Sequence, residues 1–281
     1  MRLRYFVEKE SIVKEYIREK GVSRNLGRKI KLYGKIYING KESGNWYPIK
    51  PGDVLEILLP ENNPEIQPVA SPLEVVFENE NLLIVNKPAN LSTQPSRKHP
   101  DNLIGRIRHY YLEKGIETNV HVVTRLDYAT SGLVLVAKTG HMHHRLQETD
   151  IEKTYLARAE GKFKEKSGKI DLPIRRLEGD RLRRRVAPDG KSALTHYRVL
   201  REKDDASLLL LSLKTGRCHQ IRVHLSELGH PVLGDKLYGA GGDVLHLHAL
   251  RLRFVDPLSE EEIDVLKNPP WLEEDLNLDL N

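Results

Sequence analysis

TRLDYATSGLVLVAK, residues 124–138, sets one acid, Asp127, two residues after Arg125 and just ahead of a Thr130-Ser131-Gly132 turn, then runs apolar from Leu133 to Ala137. An apolar run this short, rich in Val and Leu and closed by Lys138, suits a buried strand better than a helix. The acid then belongs to the loop at the strand's mouth, where functional groups gather on a rigid scaffold. Alone the pattern is weak, because an Asp before Thr-Ser-Gly ordinarily serves as a turn or cap residue.

A second stretch, TGRCHQIRVHLSELGHPVLGDKLYG at residues 215–239, changes the balance. Alternation over residues 218–225 predicts a strand with Cys218, Gln220, Arg222 and His224 on one face and His219, Ile221, Val223 and Leu225 on the other. If the second face is core, Arg222 and His224 point to solvent or a cleft. A rigid guanidinium among apolar neighbours is best explained by a carboxylate within reach. The plain alternative makes Arg222 a surface cation and His219 a satisfied core histidine.

Outward from these segments, strands are expected near residues 73–77, 82–86, 155–159, 195–200, 207–213 and 245–250, and helices near 103–114 and 141–148. Strands predominate, so the fold class is α+β with a mixed, mostly antiparallel sheet rather than a doubly wound one. Residues 1–60 read as a separate small α/β-type module. Helices are expected over 11–20, ended by Gly21, and over 24–33, capped by Ser23 and ended by Gly34. A strand over 35–38 turns at Asn39-Gly40, and another spans 54–59. Residues 61–72, rich in proline and polar side chains, form a linker. The larger domain is placed at 73–258 and a C-terminal tail at 259–281.

The chain has 281 residues, 45 Lys plus Arg against 40 Asp plus Glu, a net charge of +5 and pI about 9.1. That is a mild bias toward polyanions, and where the charge sits matters more than its sum. Arg24, Arg28, Lys29, Lys31 and Lys35 crowd the second helix of the module and suggest an RNA-binding face, although a plain solvated helix carries similar charge. One cysteine, Cys218, excludes an intrachain disulfide and a multi-thiolate metal site. His141, His143 and His144 do not follow the His-x-x-x-His spacing, so no metal is expected. The start, MRLRYFVEKE, lacks the apolar core of a signal peptide and no segment approaches a membrane span; a cytoplasmic protein without a membrane partner is the expectation.

At both signature segments the chain resembles the RluA/RluD-type family of RNA pseudouridine synthases. FENENLLIVNKPANLSTQP (77–95), KTYLARAEG (153–161), GKIDLPI (168–174) and GKSALTHYRVL (190–200) are similar to four further family segments, in the expected order across residues 73–258. The family usually has histidine where this chain has Thr124, a change that bears on packing or substrate fit more than on chemistry. The N-terminal module resembles the small RNA-binding domain shared with a ribosomal small-subunit protein. The resemblance implies a central RNA cleft, no cofactor, and isomerisation of uridine to pseudouridine in structured RNA, with ribosomal RNA or a ribosomal precursor as the expected partner of a monomer.

It also implies roles. Asp127 is the catalytic carboxylate, either attacking C1′ or promoting a glycal; Tyr155 stacks on the target base and assists at C5. Arg125 fills the space left by the flipped nucleotide, Ile221 closes the pocket, and Arg222 pairs with the acid, with Arg217 a rival for that pairing. Two other classes compete. A non-catalytic RNA-binding or ribosome-assembly protein would have Asp127, Tyr155 and the arginine dispersed or one of them replaced. A glycoside hydrolase would need a second acid, for which Asp171 and Asp235 are the candidates, each beside turn signals and more simply structural.

Overall fold

Leu133, Leu135 and Ala137 pack into one apolar cluster, and Val134 and Val136 into another. A strand covered on both faces needs no polar alternation, which explains the continuous apolar run. This strand, β10 (Ser131–Ala137), is buried at every residue. The coordinates are a computed structural model and describe residues 2–58, 66–96 and 99–272, without the side chains of Asn25, Lys29, Leu32 and Tyr33. The chain divides into two compact units, Met1–Glu65 and Ile66–Asn281.

In the first unit, β1 (Arg2–Phe6) and β2 (Ser11–Ile12) precede α1 (Val13–Glu19) and α2 (Arg24–Tyr33), followed by β3 (Lys35–Ile38), β4 (Lys41–Ser43), β5 (Pro48–Ile49) and β6 (Val54–Leu58). The four-stranded sheet runs β1-β6-β3-β4, and β2 pairs with β5. Ser23 caps α2 by accepting the Leu26 N–H. Asn39 and Gly40 both adopt positive φ, 51° and 81°, as the two-residue turn between β3 and β4 requires. Val13, Tyr16, Ile30, Leu55 and Ile57 form this unit's own core. The expected linker falls partly on residues 59–65, outside the described residues, as do the last residue of the strand expected over 54–59 and the tail beyond residue 272.

The second unit holds β7 (Glu74–Glu78), β8 (Leu82–Lys87), α3 (Leu103–Glu113), β9 (His121–Val122), β10, α4 (Gly140–Gln147) and β11 (Glu152–Glu160). Next come β12 (Ser167–Asp171), β13 (Ile174–Arg176), β14 (Arg184–Val186), β15 (Leu194–Lys203), β16 (Ala206–Leu213), α5 (Gln220–Glu227), β17 (Leu247–Val255) and β18 (Glu262–Leu266). Its sheet runs β12-β15-β16-β11-β17-β10-β8-β7, with β9 on β10 and β18 on β17. Among the described residues every pair in it is antiparallel except β10 with β17. This is the mixed, mostly antiparallel α+β fold. Leu103, Ile107 and Tyr111 of α3 join the cluster on one face of the sheet, and Met142 and Leu146 of α4 join that on the other.

Two expectations change. Residues 220–227 are helix, not strand. Gln220 through Leu225 are all buried, so the segment has no polar face to reveal a helical period, and its β-branched residues mimic a strand. The helix stops in a left-handed Gly229 with the His230 N–H bonding back to the Leu225 carbonyl. The catalytic sheet also does not end at residue 258, because β18 pairs with β17 over residues 262–266 and buries Ile263 and Val265 beside Phe254.

Candidate active site

The loop between β9 and β10 is tied down from below. Thr93 donates its hydroxyl to the Leu126 carbonyl at 2.9 Å, and Lys87 donates its ammonium to the carbonyls of Pro88, Leu91 and Tyr128. Burial pushes the Lys87 amine down to about 7, with the Asp127 charge pulling the other way. Thr124 accepts the Leu135 N–H at 2.9 Å, so the residue that departs from the family pattern secures the loop to β10. Gly132 has φ +116°, and a Cβ there would lie 2.4 Å from the Ala249 carbonyl oxygen, so only glycine lets β10 and β17 approach at the loop's exit.

This loop presents Asp127 to a cleft of about 570 Å³ lined also by Arg125, Tyr155, Arg217, His219 and Arg222. Ile221 lines it too and is 4 % exposed. Arg125 and Arg217 are exposed, and Arg217 donates Nε to the Ser192 carbonyl. Tyr155 is 9 % exposed, and burial followed by the nearby Asp127 charge pushes its hydroxyl well above the ordinary phenol range.

Arg222 does not pair primarily with Asp127. Its Nε and Nη2 donate to the two oxygens of Asp235 at 2.7 Å each, while Nη1 lies 3.9 Å from Asp127 Oδ2. Burial opposes the Asp235 charge, but the Arg222 fork and the N–H groups of Leu237 and Tyr238 outweigh it and hold the carboxyl below its usual range. Gly234, at φ +79°, makes this possible, since a Cβ would meet the Val244 carbonyl oxygen at 1.8 Å. Asp235 has no exposed surface and cannot serve as a second acid in a glycosidase arrangement. Asp171 is not among the residues lining the cleft.

Asp127, Cys218 and His219 bring a carboxylate oxygen, a thiol and an imidazole nitrogen within 4.8 Å of one another. Burial and the Asp127 charge push the Cys218 thiol up, which disfavours the thiolate a metal needs, and Arg222 already faces the carboxylate. On the described residues this trio fits a metal poorly.

Sequence reasoning missed the pairing of Asp235 with Arg222 of α5, and an arginine-rich ribbon made by β13 and β14, where Arg175 faces Arg185 and Arg176 faces Arg184. RRLEGDRLRRR, residues 175–185, was a legible signal for it. In the first unit, Arg24, Arg28 and Lys31 are exposed and spaced to share one stripe of α2, opposite buried Ile30, and Lys35 follows at the start of β3. The side chain of Lys29 lies outside the described residues.

Residues 81–227, which span the cleft loop, Tyr155 and α5, match the family model described as RNA pseudouridylate synthase. The chain belongs to the RNA pseudouridine synthase family. It is 39 % identical over 262 residues to the uncharacterized RNA pseudouridine synthase YjbO of Bacillus subtilis, covering 89 % of this chain and 93 % of that one. It is 37 % identical over 215 residues to the ribosomal large subunit pseudouridine synthase D of Vibrio parahaemolyticus, covering 69 % and 66 % respectively. The structure of human RNA pseudouridylate synthase domain containing 1 superimposes with a TM-score of 0.61 at 28 % identity, covering 72 % of this chain and 85 % of that one. The pseudouridine synthase is therefore an isomerase acting on structured RNA, which sets aside the non-catalytic reading. No helix among its described residues is long and apolar enough to cross a membrane.

Proposed function

We propose that this synthase is of the RluA/RluD type, acts on ribosomal RNA or its precursor, and uses Asp127 as its catalytic carboxylate. The N1–C1′ bond of uridine breaks, the uracil turns, C5 joins C1′, and the proton lost from C5 is balanced by one gained at N1. The observation that carries the assignment is the setting of Asp127: its carboxylate accepts no hydrogen bond among the described residues, yet faces two potential donors, Arg222 at 3.9 Å and His219 at 3.8 Å. A carboxylate held near donors but not clamped is free to engage the positive character that develops at C1′.

Tyr155, kept protonated by burial, stacks on the flipped base and acts as a hydroxyl rather than a phenolate; Ile221 closes the pocket and Arg125 fills the vacated stack. Arg217 and the β13–β14 ribbon meet phosphates, and residues 1–60, through Arg24, Arg28, Lys29, Lys31 and Lys35, add affinity as an RNA-binding module. The ribosomal substrate is supported by the relative whose name specifies the ribosomal large subunit.

Pseudouridine maps of total cellular RNA from cells carrying wild-type or D127N protein test the reading. The expected result is loss of one or a few ribosomal positions in D127N while purified D127N still binds the RNA. Persistent modification by D127N overturns the carboxylate assignment, and loss confined to transfer RNA overturns the substrate.

A further inference from the structure

His219 immediately precedes α5 and adopts φ +58°, a left-handed conformation that strains a non-glycine residue. That backbone turns its imidazole between two groups. Nδ1 lies 2.9 Å from the Tyr238 hydroxyl, and Nε2 lies 3.8 Å from Asp127 Oδ2. The side chain is 12 % exposed.

The surrounding hydrogen bonds select one tautomer. Tyr238 Oη already accepts the backbone N–H of Arg184 at 2.8 Å, and among the described residues the partner left for its own hydrogen is His219 Nδ1. Donation to Nδ1 leaves the ring proton on Nε2, the atom that faces a carboxylate, so both ends favour the same form. Burial pushes the His219 imidazole below its usual range, against the pull of Asp127 and with Arg222 and Arg184 reinforcing burial, which keeps the ring neutral at neutral pH. Tyr238 is itself fixed, because its N–H donates to Asp235 and its ring lies 5.2 Å from the Arg222 guanidinium. Two supports for Asp127, the Arg222 guanidinium and the His219 ring, therefore rest on the one turn at residues 234–238.

We propose that His219 is a positioning residue whose Nε2–H, fixed by the Tyr238 hydroxyl, orients the Asp127 carboxylate toward the sugar of the target nucleotide. The proposal rests on Asp127 being the catalytic carboxylate. As the target nucleotide enters, the 3.8 Å gap closes to a hydrogen bond that leaves the second carboxylate oxygen free to face the sugar. With the wrong tautomer a lone pair would face the carboxylate and push it away.

The test combines nitrogen-15 NMR of histidine-labelled full-length protein with single-turnover kinetics. The His219 signals, assigned by their loss in H219N, should show the Nε2–H tautomer in the wild type, and Y238F should shift the population toward Nδ1–H. Asparagine is the least strained replacement at a left-handed position, so H219N should fold. Both variants should lower the maximal rate about 10-fold or more with the half-saturating RNA concentration unchanged, the mark of misplacement rather than lost binding. An Nδ1–H tautomer in the wild type, or wild-type maximal rates in H219N, overturns the proposal. Activity of D127N instead overturns the carboxylate reading, and the two failures are separable because the tautomer is read without turnover. If Y238F does not fold, the wild-type tautomer and the H219N rate still decide.

Discussion

Removing the Arg222 guanidinium would leave the carboxylate of Asp235, a residue with no exposed surface, without a counter-charge and with only the N–H groups of Leu237 and Tyr238 to hold it. R222A should therefore cost about 3–5 kcal/mol of stability in chemical unfolding. Arg217, exposed and bonded to one carbonyl, should cost about 0–1 kcal/mol as R217A, so equal losses would contradict the buried ladder of Asp235, Arg222 and Asp127. His248 gives a pH-dependent counterpart. It is fully buried, with Nδ1 accepting from the Ser131 hydroxyl and Nε2 donating to the Lys267 carbonyl, and burial depresses it from 6.5 to about 4. Only the unfolded chain takes up this proton between those values, so the stability that neutral His248 contributes is complete above about pH 6.5 and is lost as pH falls toward 4. The advantage of the wild type over H248N should shrink over that window by about 3 kcal/mol, measured by urea unfolding at each pH. A gap independent of pH would show that His248 does not titrate as its burial demands.

Gly132 links residue chemistry to the elements that carry it, because it lies where β10 meets its parallel neighbour β17. G132A would drive a Cβ into the Ala249 backbone from a φ of +116° and should destabilise by at least ~2 kcal/mol while displacing the Asp127 loop. Thermal unfolding together with the maximal rate tests this: the rate should fall even at temperatures where the variant remains folded. Elements whose burial is one- or two-sided were legible in the sequence. β10 declared itself as an apolar run because both its faces are covered, and α2 because Ser23, Gly34 and a basic stripe bracket it. α5 did not, since the polar side chains of Gln220, Arg222 and His224 are buried and satisfied by Thr195, Asp235 and the Leu172 carbonyl, partners supplied by distant elements. Its stop signal, Gly229-His230-Pro231, was readable and argued for a helix. Asp127 was legible because its loop and strand adjoin in sequence; the identity of Arg222's partner was not, because the turn at Gly234 sets it in space.

At the scale of the whole molecule, the two units have separate cores, one around Tyr16, Ile30 and Leu55 and the other around the large sheet. The described exposed cations of α2 and its exit, Arg24, Arg28, Lys31 and Lys35, are four in number, and the residues that line the cleft holding Asp127 belong to the second unit. If they meet phosphates, each meeting contributes counterion release rather than chemistry, so binding energy and catalysis divide between the units. A chain beginning at Ile66 should fold, retain isomerisation at saturating RNA, and bind more weakly. Its plot of log affinity against log salt should be flatter by about 0.7–0.9 for each phosphate no longer neutralised, up to roughly 3.6 if all four cations engage. Equilibrium binding from low to moderate salt, with single-turnover rates at saturation, checks both halves. An unchanged slope would make the basic stripe an ordinary solvated face. A folded chain without activity at saturation would show that the first unit contributes to the reaction itself, because affinity alone can be restored by concentration and the chemical step cannot.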